Sequence, residues 1–418
     1  MSVDVVTFGC RLNIYESGIV QDRARDAGLG DAVIFNTCAV TSEAVAQARQ
    51  AIRRTRRERP DARIVVTGCA AQTQSQMFAD MPEVDRVIGN DDKMRAAPWL
   101  QAREAFAGAA DASKIAVSDI MIAKAMPPHA VVRSQSGLPR AFVQIQNGCD
   151  HRCTFCIIPF GRGNSRSVGM SDVVDQVRAL TEAGHAEIVL TGVDLTSYGS
   201  DLAGAPKLGA LVKHVLKAVP ELKRLRISSI DSIEVDHDLL DVIGNDARLM
   251  PHLHLSLQSG DDMILKRMKR RHLRADAIAF CDQVRRLRPD VVFGADIIAG
   301  FPTETEAMFA RSQDLVDDCG LTLLHVFPYS PRPGTPAARM PQVRSDIIKD
   351  RAQRLRRTGE AALRQRLESE VGQTRSVLIE SATQGRTEHF LPVAIEGAKP
   401  GAVRSLRISG SDGRRLAV

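Results

Sequence analysis

The chain has 418 residues, a mass of 45.6 kDa, 44% apolar residues and a formal net charge of +6 with a pI near 9.0. That length exceeds what one hydrophobic core organises, so several domains are expected. The opening MSVDVVTFGC lacks the basic segment and apolar run of a secretory signal, and no stretch offers about 18 uninterrupted apolar residues; a cytoplasmic protein without a membrane partner is therefore expected. The basic balance favours a polyanionic partner such as nucleic acid without establishing one.

The first ninety residues alternate short apolar runs (VDVVTF, DAVIFNT, ARIVVTG, DRVIGN) with segments of helical period. This is βαβ text, which folds as an open parallel sheet that collects ligands beyond its strands' carboxyl ends. Cys10, Cys38 and Cys69 each fall at such an end. Residues 91–134, with Pro98, Pro127 and Pro128 and poor periodicity, read as a linker with some helix. Residues 135–366 carry a second series, with strand candidates AFVQIQ, AEIVLTG, RLRISSI, HLHLSLQ, VFGADIIAG and LLHVFPYS separated by helical text. About six βα units predict a partial (β/α)6 barrel of TIM type with its active face at the βα loops. Residues 367–418 read as short strands punctuated by Gly, a small all-β barrel.

Eight cysteines in a reducing compartment point away from structural disulfides. Cys281 and Cys319 lie in helical text and read as small buried apolar residues. Cys149, Cys153 and Cys156 are different, because the spacing CxxxCxxC holds three thiolates in one loop after a strand. A four-iron cubane normally takes four thiolates, so three from one loop leave one iron open to a substrate or cofactor. Zinc is the alternative, but it needs a fourth ligand, and His151 is wedged between two candidates.

The loop resembles that of the radical S-adenosylmethionine superfamily, in which an aromatic residue precedes the third cysteine; Phe155 holds that place. The resemblance implies a [4Fe–4S] cluster whose open iron chelates S-adenosylmethionine and whose electron cleaves it to a 5′-deoxyadenosyl radical. "TFGCRLN", "NTCAV" and "TGCAAQ" are similar to the three ligand stretches of the methylthiotransferases within that superfamily. They imply a second [4Fe–4S] cluster on Cys10, Cys38 and Cys69 in a flavodoxin-like domain. "GRGNSRS", "EIVLTGVDLTSYG", "HLHLSLQSG", "ADIIAGFPTET" and "FPYSPRPGTPA" follow in the family's order. By resemblance, Phe155, Gln258, Asp296, Gly300 and Glu304 should lie near S-adenosylmethionine or the reacting centre. As plain sequence these are weaker signals, since Gly-Phe-Pro is a turn and a strand-end Asp can cap a helix.

The terminal module resembles a TRAM domain, most clearly at "GRTEHFLPVAI". A basic, aromatic-bearing barrel suits RNA, because bases stack on aromatic faces while Arg neutralises phosphate. Arg386 and Phe390, with His389 beside them, are its candidate contacts, the alternative being that Phe390 belongs to the barrel's own core. Arg162 and Arg166, beside the cluster loop, are further candidates for an RNA phosphate or the cofactor's carboxylate, and Arg332 for an RNA contact. Arginine-rich residues 49–63 and 351–357 read as solvated helix faces.

What the resemblance implies is methylthiolation of C2 of an adenosine in the tRNA anticodon loop, with electrons from a carrier such as flavodoxin or ferredoxin. Arg332 in "YSPRPGT" resembles the tRNA-directed branches, and the stretches "GCRLN", "RAFVQIQNGCDHRCTFCIIPFGRG" and "LHVFPYS" are most similar to the group acting on N6-threonylcarbamoyladenosine at position 37. The alternatives are tRNA bearing N6-isopentenyladenosine and an aspartate of a ribosomal protein. A reading from another class is a non-catalytic Fe–S RNA-binding protein, against which the open iron site argues.

Overall fold

The computed structural model describes residues 3–108, 113–126 and 139–418. Two compact units divide them. One holds residues 3–108, 113–126, Gln146–Arg152 and Cys156–Val168; the other holds residues 139–145, Cys153–Phe155 and Gly169–Val418.

The first unit opens with β1 (Val3–Thr7), α1 (Arg11–Asp26), β2 (Ala32–Thr37), α2 (Ser42–Glu58), β3 (Arg63–Gly68), α3 (Cys69–Thr73), α4 (Ser75–Ala79), β4 (Arg86–Ile88), α5 (Ala97–Phe106) and β5 (Ile115–Ala116). Its five strands are parallel, and every residue of β2 is buried. The near-continuous apolar runs of β2 and β3 follow from burial on both faces. Val45, Ile52 and Phe78 pack with Phe35 and Val66 on one side, and Val20, Ala24 and Trp99 with Ile34 and Val65 on the other. The strand order is β1-β2-β3-β4-β5, whereas a flavodoxin-like sheet runs 2-1-3-4-5. Apolar runs announce strands but do not encode the edge on which each is added.

The segment read as a linker belongs to this unit over its described residues. Pro98 sits in the first turn of α5, where its missing N–H costs nothing. Trp99 is fully buried, its Nε1 donates to the Lys93 carbonyl at 2.8 Å, and β5 pairs with β4. Pro127 and Pro128, and the rest of that reading at 109–112 and 127–134, lie outside the described residues.

The chain continues through β6 (Arg140–Gln144), β7 (Gln146–Asn147), α6 (Ile158–Arg162), β8 (Arg166–Ser167), α7 (Met170–Glu182), β9 (Glu187–Thr191), α8 (Leu208–Ala218), β10 (Arg224–Ile227), α9 (His237–Asn245), β11 (His252–Gln258), α10 (Asp262–Met268), α11 (Arg274–Leu287), β12 (Val292–Ala299), α12 (Glu306–Asp318), β13 (Leu321–Pro328) and α13 (Ser345–Ser369). In the second unit β10-β9-β6 and β11-β12-β13 form two parallel sheets, joined by the bridges Leu225↔Leu249 and Ile230↔Leu255. Six parallel strands with helical connections make the expected partial barrel. Cys281 and Cys319 are fully buried in its helical layer.

The chain ends with β14 (Thr374–Ser381), β15 (Gln384–Thr387), β16 (Pro392–Ala394), β17 (Val403–Arg407), β18 (Gly410–Ser411) and β19 (Leu416–Ala417). They form one six-stranded sheet, antiparallel except between β16 and β19, over a core of Val377, Ile379, Leu391, Val393 and Leu416. Leu367 from α13 enters the same core.

This module is fastened to the amino-terminal ends of the barrel strands. Glu187, the first residue of β9, is fully buried and lies 2.9 Å from guanidinium nitrogens of Arg140, Arg224 and Arg226. The ring of Phe390 (φ +67°) stacks on His252 at 5.0 Å, with the guanidinium groups of Arg140, Arg226 and Arg386 within 5.2 Å of its centroid. Arg224 and Arg226 donate to the Thr387 carbonyl at 3.2 and 3.0 Å. Phe390, half-buried, is thus a peg in the joint between module and barrel, and Arg386 and buried His389 serve the same joint. Phe390→Ala should cost about 2–4 kcal/mol. Thermal melting and limited proteolysis of the junction after α13 test this; an unchanged melt and digestion pattern would contradict it.

No helix among the described residues is long and apolar enough to cross a membrane.

Candidate cluster and cofactor sites

In the first unit three strand ends bring thiols together. Cys10 caps the start of α1, Cys38 follows β2, and Cys69 opens α3 directly after β3. The approach is close enough to require glycine. Gly9 has φ +94°, and a Cβ there would stand 2.7 Å from Cβ and 2.8 Å from Sγ of Cys38. Gly68 has φ +96°, and a Cβ would collide with the Thr37 carbonyl. Burial pushes the Cys38 thiol up to about 12, reinforced by the neighbouring charges of Cys69 and Cys10. Cys69 is also raised by burial, against the pull of Arg162 and Lys93. Thiols this buried keep their protons unless a metal replaces them, and soft thiolates converging at one point suit zinc, copper(I) or an iron–sulfur cluster.

A polar network lies against these thiols. Glu16 Oε2 pairs with Lys93 Nζ at 2.7 Å and Glu16 Oε1 with Arg162 Nη1 at 2.7 Å, all three side chains being at most 1% exposed. Asn13 Oδ1 accepts from Arg162 Nη2 at 2.7 Å, and Asn36 Oδ1 from Lys93 Nζ at 3.0 Å. Burial opposes ionisation of Glu16, yet the two cations hold its carboxyl at about 2. Two buried cations face one carboxylate, so the network carries one surplus positive charge, complementary to thiolate ligands. Asn90 Nδ2 lies 3.6 Å from Cys69 Sγ and donates to the Gly161 carbonyl at 2.7 Å.

Two arginines put forward for a phosphate or the cofactor's carboxylate are held by this network. Arg162 is the buried partner of Glu16, and Arg166 is 2% exposed, bound to Asp91 at 2.9 Å and to the Arg162 carbonyl at 2.8 Å. Glu16 and Lys93 went unnoticed in the sequence because they lie far apart along it. The only hint was Asn13 and Glu16 at i, i+3 on one face of α1.

The CxxxCxxC loop is framed by the antiparallel ribbon of β7 and β8. Gly148 has φ +72°, and a Cβ would collide with the Asn164 carbonyl; Cys149 N donates to the Gly163 carbonyl at 3.1 Å. All three cysteines are half-buried. Within the second unit, Thr154 N donates to the Met268 carbonyl at 3.1 Å, and Thr154 Oγ1 to the Arg267 carbonyl at 2.8 Å. Arg270 Nη1 stands 3.9 Å from Cys153 Sγ, while its Nη2 is held by Asp231 at 2.6 Å and the Ser256 carbonyl at 2.7 Å. Phe155 meets Phe301 edge-on at 6.3 Å, in a cluster with Ile264, Met268 and Ile298. Its visible work is to anchor the loop.

The carboxyl ends of β11 and β12 carry the remaining expected residues. Gln258 ends β11 with φ +67° after a register shift, a strained conformation of the kind that collects at functional sites. Asp296 accepts from His254 Nε2 at 2.8 Å and lies 3.3 Å from His325 Nδ1; despite burial, the two imidazoles keep its carboxyl well below the usual range. Neither histidine was singled out in the sequence, although HLHLSLQ and LLHVFPYS placed both in strands. Gly300 (φ +76°) donates its N–H to Glu304 Oε2 at 2.9 Å, and the same oxygen takes Arg351 Nη1 at 3.0 Å. Burial pushes Glu304 up to about 7. Glu304 thus holds the Gly300 turn, and Arg351, expected on a solvated face, is buried beneath it. Arg332 is 4% exposed, its carbonyl accepting from Thr335, and does not lie on the surface expected of an RNA contact.

A model of the Radical SAM superfamily matches residues 143–316, and one of Uncharacterized protein family UPF0004 matches residues 2–89. The chain is 52% identical over 393 residues, 94% of its own length and 91% of the relative's, to a threonylcarbamoyladenosine tRNA methylthiotransferase, MtaB, of Rickettsia prowazekii. The chain belongs to the radical S-adenosylmethionine methylthiotransferase family. A second methylthiotransferase, MtaB of Bacillus subtilis, is 35% identical over 84% of this chain and 78% of its own. A tRNA-2-methylthio-N(6)-dimethylallyladenosine synthase of Cereibacter sphaeroides is 32% identical over 99% and 97%. Among solved structures, the radical S-adenosylmethionine methyltransferase TsrM of Kitasatospora setae superposes with a TM-score of 0.59 at 16% identity, over 81% of this chain and 74% of its own, which supports the fold. Methylthiotransferases carry two [4Fe–4S] clusters and use S-adenosylmethionine. The donor chemistry here fits them: two sets of three cysteines, one set converging against a network with surplus positive charge.

Proposed function

We propose that this methylthiotransferase acts on C2 of N6-threonylcarbamoyladenosine at position 37 of tRNA, in the cytoplasm, with electrons from a flavodoxin or ferredoxin. The observation that carries the reading is 52% identity across nine-tenths of both chains to an enzyme named for that nucleoside. Relatives named for the dimethylallyl nucleoside stand at 32–33%.

In this reading Cys149, Cys153 and Cys156 hold one cluster, and Cys10, Cys38 and Cys69 the other. When bound, the clusters supply the electron that opens the sulfonium bond of S-adenosylmethionine and the sulfur that replaces hydrogen on the base, chemistry no side chain offers. The chain's own residues place and hold. Arg270, fixed by Asp231 and the Ser256 carbonyl, presents its guanidinium to the Cys153 sulfur. Phe155 locks the loop, and Glu304 locks the Gly300 turn, which would help to hold S-adenosylmethionine at the strand ends. Gln258 and Asp296, ionised between two imidazoles, give that end of the barrel polar groups for cofactor and base.

Reconstituted protein supplied with dithionite, S-adenosylmethionine and tRNA bearing N6-threonylcarbamoyladenosine should yield its 2-methylthio derivative together with 5′-deoxyadenosine. Modification of isopentenyladenosine tRNA with none of the threonylcarbamoyl tRNA would overturn the substrate assignment.

A further inference from the structure

Residues 266–274 read KRMKRRHLR, six cations in nine positions, running from the last turn of α10 to the first residue of α11 after β11. Some of these cations are used internally. Arg267 Nη1 donates to Thr303 Oγ1 at 2.8 Å, Arg270 is held by Asp231 at 2.6 Å, and Arg274 pairs with Asp318. Lys266, Lys269 and Arg271 are exposed. Lys266, Arg270, Arg271 and His272 line a pocket of ≈ 330 Å³ together with Met263 and Leu273, which are 46% and 52% exposed. Asp262 lines it too, its Oδ1 taken by the Arg274 N–H at 2.7 Å, and Arg271 pairs with Glu234.

We infer that this pocket binds the sugar–phosphate backbone of the substrate RNA beside the target nucleotide. The inference rests on the tRNA reading above and gives it a surface. Three facts carry it. Arg270 both lines the pocket and stands 3.9 Å from Cys153 Sγ, so a strand in the pocket lies next to the loop expected to start the chemistry. The pocket pairs cations with exposed apolar side chains, the combination that grips an unpaired nucleotide through phosphate and base or ribose. It also lies on the carboxyl-end face of the barrel, whereas Arg386 and Phe390 are pegged to the opposite end of β11. That strand, seven residues long, spans roughly 20 Å, so those two cannot reach a base at the loop. An acidic protein such as an electron carrier would instead need a broad flat patch of about 800 Å².

The test is binding of an anticodon stem-loop RNA to the reconstituted protein as a function of salt. The double variant Lys266→Gln, Lys269→Asn removes two exposed charges, one lining the pocket and one next to Arg270 in the chain along its rim, and Asn suits the left-handed position of residue 269 (φ +58°). Each lost single-strand phosphate contact lowers the salt slope by about 0.7, so the pair should lower it by about 1.4 and weaken binding roughly 25-fold at 0.1 M salt. The control pair Arg54→Gln, Arg57→Gln on exposed positions of α2 should change neither. An unchanged slope in the double variant while the unmodified protein binds RNA overturns the pocket alone. Failure of the unmodified protein to bind the RNA overturns the pocket and the tRNA reading together. Unchanged RNA binding with slowed reduction by flavodoxin would assign the surface to the electron carrier, again against the inference.

Discussion

Cys38→Ala is expected to halve the iron content of the reconstituted protein and to take methylthiolation below detection while S-adenosylmethionine is still cleaved. Cys38 is 6% exposed, pressed between Gly9 and the rest of the thiol set, and its removal leaves two donors where a cubane needs three from this chain. Cys153→Ala removes a donor of the other set. It should abolish both 5′-deoxyadenosine and product while keeping the iron bound near Cys38. Iron analysis, spectroscopy of the clusters and the two product assays together separate the sites. If both variants lost cleavage and product alike, the two sets would not divide the work as proposed.

The second large effect concerns stability. Glu16→Leu leaves Lys93 and Arg162 buried without their carboxylate, and breaking a buried pair in this way costs about 3–5 kcal/mol. Denaturant unfolding of the cluster-free protein should show it. The carboxyl at about 2 lies below the ordinary 4.5, so the native state favours the ionised form. That contribution, roughly 3 kcal/mol, is complete above the ordinary value and is lost as pH falls from 4.5 towards 2. The acid limb of the stability profile should therefore flatten in Glu16→Leu. A variant as stable as the parent, with the same acid limb, would show that the network does not bind its charges as the geometry indicates.

Much of the architecture was legible because burial on two faces forces apolar runs. VIFNT and RIVVTG could only be inner strands of a parallel sheet, and six such runs with helical text between them gave the partial barrel. Strand order was not legible, since a run of Val and Ile does not say on which side its neighbour lies. The helix expected somewhere within residues 91–134 could not be bounded from Pro98, which breaks a helix from inside but starts one from its first turn. The six cysteines stood out because thiol spacing is chemically restrictive. Arginines were the weak point: Arg162, Arg166, Arg351 and Arg386 look alike in text, and only the positions of Glu16, Asp91, Glu304 and Phe390 reveal that each is turned inward. The stretch KRMKRRHLR passed unremarked for the converse reason, its outward lysines being hidden among arginines that serve the fold.

Nucleoside analysis of tRNA from a strain lacking the gene measures whether this chain methylthiolates threonylcarbamoyladenosine. The 2-methylthio derivative should disappear while unmodified N6-threonylcarbamoyladenosine accumulates, and the parent sequence should restore it where Cys38→Ala and Cys153→Ala do not. Retention of that derivative in the deletion strain, or loss of the isopentenyl counterpart instead, would contradict the account.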